Sequence, residues 1–116
     1  MATGSMEECI DNCSRCHDVC LLTVTHCLQR GGEHAAGEHV RLLLDCAEIC
    51  RTSADFMLRG SEFHYRTCAV CADVCTRCAE VCEQMGDASK LAECAAVCRR
   101  CAESCRAMLA RAKHAA

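Results

Sequence analysis

The stretch CAVCADVCTRCAEVC, residues 68–82, decides the fold. Its cysteines stand at 68, 71, 75, 78 and 82, in steps of 3, 4, 3 and 4. Residues three and four apart lie above one another on a helix, so Cys68, Cys71, Cys75, Cys78 and Cys82 mark one helix face. The stripe returns at Cys94, Cys98, Cys101 and Cys105, and at Cys9, Cys13, Cys16 and Cys20, with Cys27 one heptad further on. A shorter copy sits at Cys46 and Cys50. All 16 cysteines of the chain fall on such stripes. In a helical bundle these inward positions ordinarily hold leucine, isoleucine and valine. Here they are thiols.

The rest of the composition agrees with helix. The 116 residues fit one domain, 1–116, and include no proline and only three aromatic side chains, Phe56, Phe63 and Tyr65. A net charge of −3 gives no footprint for nucleic acid or an anionic membrane surface. No apolar run reaches the length of about 18 residues that a membrane span needs. The opening residues MATGSMEECIDNC carry neither a basic segment nor an apolar one, which leads us to expect a cytoplasmic protein. In a reducing cytosol, thiols at this density point to metal rather than disulfides.

Read in order, the chain predicts four helices, about 5–30, 36–59, 62–85 and 88–113. Ser5 followed by Glu8 fits a capping box at the first start. Gly31 and Gly32, then Gly60 and Ser61, then Gly86 and Asp87 punctuate the turns. The first helix presents Met6, its cysteines and Val24 inward; the second presents His39, Leu43, Cys46, Cys50, Ser53 or Ala54, and Met57. Turns this short leave no room for crossovers, so the expected fold is all-α, an antiparallel up-down-up-down four-helix bundle with cysteines lining the core. The second helix is apolar beyond its seam, at Val40, Leu42, Leu44, Ile49, Phe56 and Leu58, a width that suits extra core or self-association. Counting residues away from the 31–36 turn stacks the stripes into levels: Cys27 with His39 and Cys82; Cys78 with Cys94; Cys20 with Cys46, Cys75 and Cys98; Cys16 with Cys50, Cys71 and Cys101; Cys13 with Cys68 and Cys105. Met6, Met57, His64 and Met108 gather at the far end.

A core of cysteine buries less apolar volume than one of leucine and so gives up stability. Pairs within a helix make poor disulfides. Soft thiolates select Cu(I), Zn(II) and iron–sulfur clusters. About four zinc ions on sixteen thiolates would leave a buried excess of about eight negative charges, which a low-dielectric interior opposes. Roughly one Cu(I) per thiolate leaves the column neutral. Iron–sulfur sites favour loops with proline-terminated spacing, absent here. The leading expectation is Cu(I) storage and buffering without catalysis, since no nucleophile–base pair or acidic dyad faces inward. The alternatives are zinc or general soft-metal sequestration, an iron–sulfur electron-transfer protein, and a disulfide redox sensor.

The motifs CxxxCxxCxxxC at 9–20, CxxxC at 46–50, CxxCxxxCxxCxxxC at 68–82 and CxxxCxxCxxxC at 94–105 cover nearly the whole chain. In these the chain resembles the cysteine-rich four-helix-bundle copper storage proteins of bacteria, in the cytosolic branch that lacks an export signal. The resemblance implies many Cu(I) ions bound by the inward cysteines, a homotetramer, and metal entering at one end near histidine or methionine. It makes all sixteen cysteines ligand candidates and Met57, His64 and Met108 the candidate mouth. Copper chaperones or small-molecule copper ligands are the partners to expect alongside further copies of the chain.

Overall fold

The structure, a computed structural model, describes residues 5–85 and 89–115, with side chains through Arg111. Four α-helices follow in order: α1 (Met6–Arg30), α2 (Gly37–Leu58), α3 (His64–Met85) and α4 (Ser89–Ala115). A 3-10 turn, Gly32–Ala35, joins the first two. The expected stop at Gly86 and cap at Asp87 lie outside the described residues.

Local sequence sets the helix ends. The Ser5 side chain accepts a hydrogen bond from the Glu8 backbone N–H at 3.0 Å, satisfying one of the orphan donors at the start of α1. At the other end of α2, the Gly60 N–H donates to the Met57 carbonyl and the Ser61 N–H to the Phe56 carbonyl, both at 3.0 Å. Those two bonds form a Schellman motif, which needs a left-handed residue, and Gly60 supplies it at φ 67°. The third helix starts two residues later than expected because Ser61 first closes a turn: its hydroxyl accepts from the Phe63 N–H at 3.0 Å.

Each helix packs against its sequence neighbours, and α4 returns against α1. That is the up-down-up-down bundle. Its long axis is 47 Å and its cross-section 23 × 17 Å. The narrow cross-section follows from the core, where all sixteen cysteines are at most 1% exposed. Alanine follows many of them and is buried beside them, at Ala47, Ala72, Ala79, Ala95 and Ala102. Residues this small let the backbones approach, so thiols from four helices meet across the axis.

Larger apolar side chains plug the ends of the thiol column. Leu43 and Leu91 are fully buried toward the end that carries the 3-10 turn; Met57 and Met108 are buried toward the other. Between Cys20 and Cys27 the inward place goes to Thr23, which is buried, while the expected Val24 is half-buried against the core. Both residues flank the seam at helical spacing. The hydroxyl fits inside because it donates to its own helix, to the Val19 carbonyl at 2.7 Å. Surface ion pairs such as Arg99–Glu83, bidentate at 2.7 and 3.1 Å, clip α4 to α3, but exposed pairs contribute little.

Because so little of the core is bulky, each large side chain counts. Leu43→Ala is expected to lower the unfolding free energy of the reduced, metal-free protein by about 2–5 kcal/mol, measured by urea denaturation. A loss below about 0.5 kcal/mol would show that the plug at that end is not packed as described.

Candidate metal centre

The centre is built from helix phase alone. Steps of three and four residues point a sulfur inward roughly once per turn, and four antiparallel helices bring these rows face to face. The sulfurs form a continuous path. Cys9 Sγ lies 3.8 Å from Cys105 Sγ, which lies 3.8 Å from Cys13 Sγ. Cys13 meets Cys101 at 3.5 Å, and Cys101 meets Cys50 and Cys71 at 3.8 Å each. Cys50 then meets Cys75 at 3.5 Å, Cys75 meets Cys46 at 3.6 Å, and Cys16 joins Cys46 at 3.9 Å to Cys98 at 3.7 Å. Cys20 carries the path on to Cys94 at 3.9 Å. All sixteen are free thiols.

Overlapping groups of four emerge from this path, each with its ligand sulfurs within 4.8 Å of one another. They include Cys13, Cys71, Cys101 and Cys105; Cys50, Cys71, Cys75 and Cys101; Cys16, Cys46, Cys50 and Cys75; and Cys20, Cys78, Cys94 and Cys98. Two sulfurs each about 2.3 Å from a shared ion stand about 3.8 Å apart at a tetrahedral angle. The observed separations match that distance before any metal arrives, so little rearrangement is needed to bind.

Counting residues predicted flat levels, and α1 departs from them. Cys16 keeps the expected Cys50 within 4.8 Å, but its sulfur also contacts Cys46, Cys75 and Cys98, from the neighbouring level. Cys13 meets Cys101 rather than only the Cys105 level. The packing of α1 against α2 and α4, not the number of residues in the turn, sets its axial position. The levels therefore interleave into a staggered column.

Protonation follows from burial. Hydrogen bonding to Cys101, Cys16, Cys46 and Cys71, together with burial, pushes Cys50 far above the range of a free thiol. Burial opposes a lone thiolate in this column, because it would be a buried charge surrounded only by thiols. The metal-free column is thus close to apolar.

At the far end, the expected mouth residues have different surroundings. Met57 and Met108 are buried at 3% and 1% exposure. Met57 Sδ does touch the column, 3.9 Å from Cys68 Sγ. Cys68 also contacts the buried Ser53 hydroxyl at 3.4 Å. Ser53 occupies the place where a 3–4 stripe on α2 would carry its next cysteine. His64 is half-buried and donates through Nδ1 to the Ser61 carbonyl at 2.9 Å, so that nitrogen belongs to the turn.

Imidazoles gather instead at the opposite end. His39 is 4% exposed, with Nε2 3.5 Å from Cys27 Sγ. Burial and then the neighbouring His34 hold its pKa below the ordinary histidine range. His34, which the sequence places in a turn with no stripe to suggest a role, brings Nδ1 to 4.0 Å from the same sulfur. No periodic signal points to His34; only the fold of the 3-10 turn carries it there.

Known proteins share this fold. The copper storage protein family (Csp) matches residues 2–110. A crystal structure of the Nmul_A1745 protein from Nitrosospira multiformis superposes with a TM-score of 0.85 at 47% identity, over 91% of this chain and 95% of that one. The Cu(I)-bound copper storage protein BsCsp3 superposes with a TM-score of 0.83 at 36% identity, over 89% and 96%. Apo-Csp3 (copper storage protein 3) from Bacillus subtilis gives a TM-score of 0.80 at 37% identity, over 90% and 99%. An uncharacterized cysteine-rich protein, YhjQ of Bacillus subtilis (strain 168), is 36% identical over 68 residues, 59% of this chain and 63% of that relative's length. With its four-helix bundle, its core of free thiols and a family match across nearly its full length, this chain belongs to the copper storage protein family.

Proposed function

We propose that the chain stores and buffers Cu(I), holding many ions at once along its column of cysteine thiolates. One observation carries this reading: the sulfur path from Cys9 to Cys94 runs through the bundle at 3.5–3.9 Å spacing, and among the described residues no Asp, Glu, Lys or Arg is buried alongside it. Charge then selects the cargo. Each Cu(I) that replaces a thiol proton leaves the column as neutral as before. Each zinc ion held by four thiolates adds two buried negative charges with nothing to offset them. The ligands in this reading are the sixteen cysteines, with Met57 Sδ next to Cys68 as a thioether flank. Met108 serves as a plug and His64 as a turn residue near that end rather than as direct donors.

The Cu(I)-bound state of BsCsp3 at 36% identity supports the choice of metal, and the chemistry supports storage over catalysis. An ion coordinated only by buried thiolates has no open position for a substrate. The whole chain acts as one bundle in this proposal, resides in the cytoplasm, and exchanges Cu(I) with small thiol ligands or chaperones. It assembles as a homotetramer. Exposed leucines at Leu21, Leu22 and Leu28 on α1 and Leu44 and Leu58 on α2 support an apolar face for that assembly.

An anaerobic Cu(I) titration of the reduced protein against a chromophoric chelator is the direct test. Uptake of roughly one Cu(I) per cysteine is expected, with about one proton released per thiolate formed, so apparent affinity falls as pH is lowered. Saturation at one or two ions, or preferential uptake of about four zinc ions, would sink the storage reading. Light scattering in solution is expected to give four times the 12.6 kDa chain mass, and a monomer mass would remove the tetramer.

A further inference from the structure

At the end carrying the 3-10 turn, the thiol column changes character. Cys27 is fully buried, yet its sulfur contacts imidazole rather than thiol: His39 Nε2 at 3.5 Å and His34 Nδ1 at 4.0 Å. On three helices a buried residue without a thiol stands between this spot and the column. Thr23 separates Cys27 from Cys20 on α1, Leu43 separates His39 from Cys46 on α2, and Leu91 precedes Cys94 on α4. On α3 the buried sulfur row runs on to Cys82, the last buried residue of that helix.

Both sulfur–nitrogen contacts suit a shared ion. A cation bound about 2.3 Å from sulfur and about 2.0–2.1 Å from nitrogen places those donors about 3.5–3.8 Å apart between tetrahedral and trigonal angles. The 3.5 Å contact falls at one end of that range, and the 4.0 Å contact needs a shift of a few tenths of an ångström. His39 is 4% exposed, and its Nδ1 has no hydrogen-bond partner. Among the described residues, the Cys27 sulfur is the partner of its Nε2. An imidazole this enclosed, turned toward a thiol rather than a carbonyl or carboxylate, is placed as a ligand is placed.

Charge and softness choose the class of ion. One thiolate and two neutral imidazoles with a divalent cation carry a net charge of about +1. Glu33 and Glu38 line an adjoining cavity of about 580 Å³ that His39 also walls, so carboxylates and water are at hand to balance that charge and fill a fourth position. Imidazole is a borderline donor that suits zinc, whereas Cu(I) finds many softer all-thiol positions one turn further in. The geometry points to a second, chemically distinct metal site, in which Cys27 Sγ, His34 Nδ1 and His39 Nε2 hold one zinc-class divalent cation independently of the thiol column.

The test uses the reduced, metal-free full chain with one equivalent of Zn(II) under anaerobic conditions, read by zinc K-edge absorption. A shell of one sulfur at about 2.3 Å and two imidazole nitrogens at about 2.0 Å is expected. His34→Gln with His39→Gln should either weaken zinc binding by about tenfold or more or move the ion to an all-sulfur shell. His34→Gln alone changes a residue of the exposed turn that reaches α1 only through Cys27 and the His26 ring among the contacts described; it should remove one imidazole from the shell while circular dichroism stays native. An all-sulfur shell in the unsubstituted protein, no zinc uptake, or a mixed shell unaltered by His34→Gln would overturn the assignment. Copper uptake is not part of this readout, so the site and the storage proposal stand or fall separately.

Discussion

Neutral sulfur is the constraint on which this molecule rests. A thiol is nearly apolar and can be buried at little cost; a thiolate cannot be buried unless a cation comes with it. The bundle uses the first property to fold and offers the second to a metal. Protonated thiols fill the axis without leaving unpaired charge, so the apo protein has a core to collapse around. When a monovalent soft cation displaces a proton, charge is conserved at that position. Folding and loading therefore need not compete, in contrast to small zinc domains that have no fold until metal arrives.

The cost of such a core is volume. Cysteine and alanine occupy places that leucine and isoleucine would fill in an ordinary bundle, and each substitution of that kind forgoes apolar burial. The bundle compensates by narrowing. Small side chains at Ala47, Ala72, Ala79, Ala95 and Ala102 let the helices draw together until sulfurs come within 4 Å of one another. The remaining bulk is kept for the ends, where Leu43, Leu91, Met57 and Met108 close the column. Thiol density and helix proximity are thus two aspects of one packing solution. A bulkier core would hold the helices farther apart and break the sulfur path.

The two ends are not equivalent. Around Met57 and Cys68 the neighbours are a thioether and the hydroxyl of Ser53, which are soft or weakly polar groups. Around Cys27 they are imidazoles, with carboxylates lining the cavity next to His39. A protein that offers sulfur alone along its axis and mixed nitrogen and sulfur at one end presents two classes of donor to the metals it meets. Donor softness sorts metals, so the difference is chemical and not only positional.

The helical class, the four-helix count, the inward thiols and the antiparallel order were all legible in the sequence. Steps of three and four residues admit only one periodic structure, and short glycine-marked turns admit only antiparallel neighbours. Membership in the copper storage family was legible for the same reason, since its motifs are the stripes themselves. Axial register was not. Cys16 meets Cys46, Cys75 and Cys98 because packing against α2 and α4 sets the axial position of α1, and residue counting carries no information about that position. Nor was the choice of Thr23 over Val24 as the inward residue, because both lie beside the seam and packing decides between them. The place of His34 was hidden most completely. It belongs to no stripe, and only the path of the folded turn brings its Nδ1 to Cys27. Periodicity along one helix is written locally in the chain; distances between helices, and between a turn and a helix, come into being only when the packed bundle sets them.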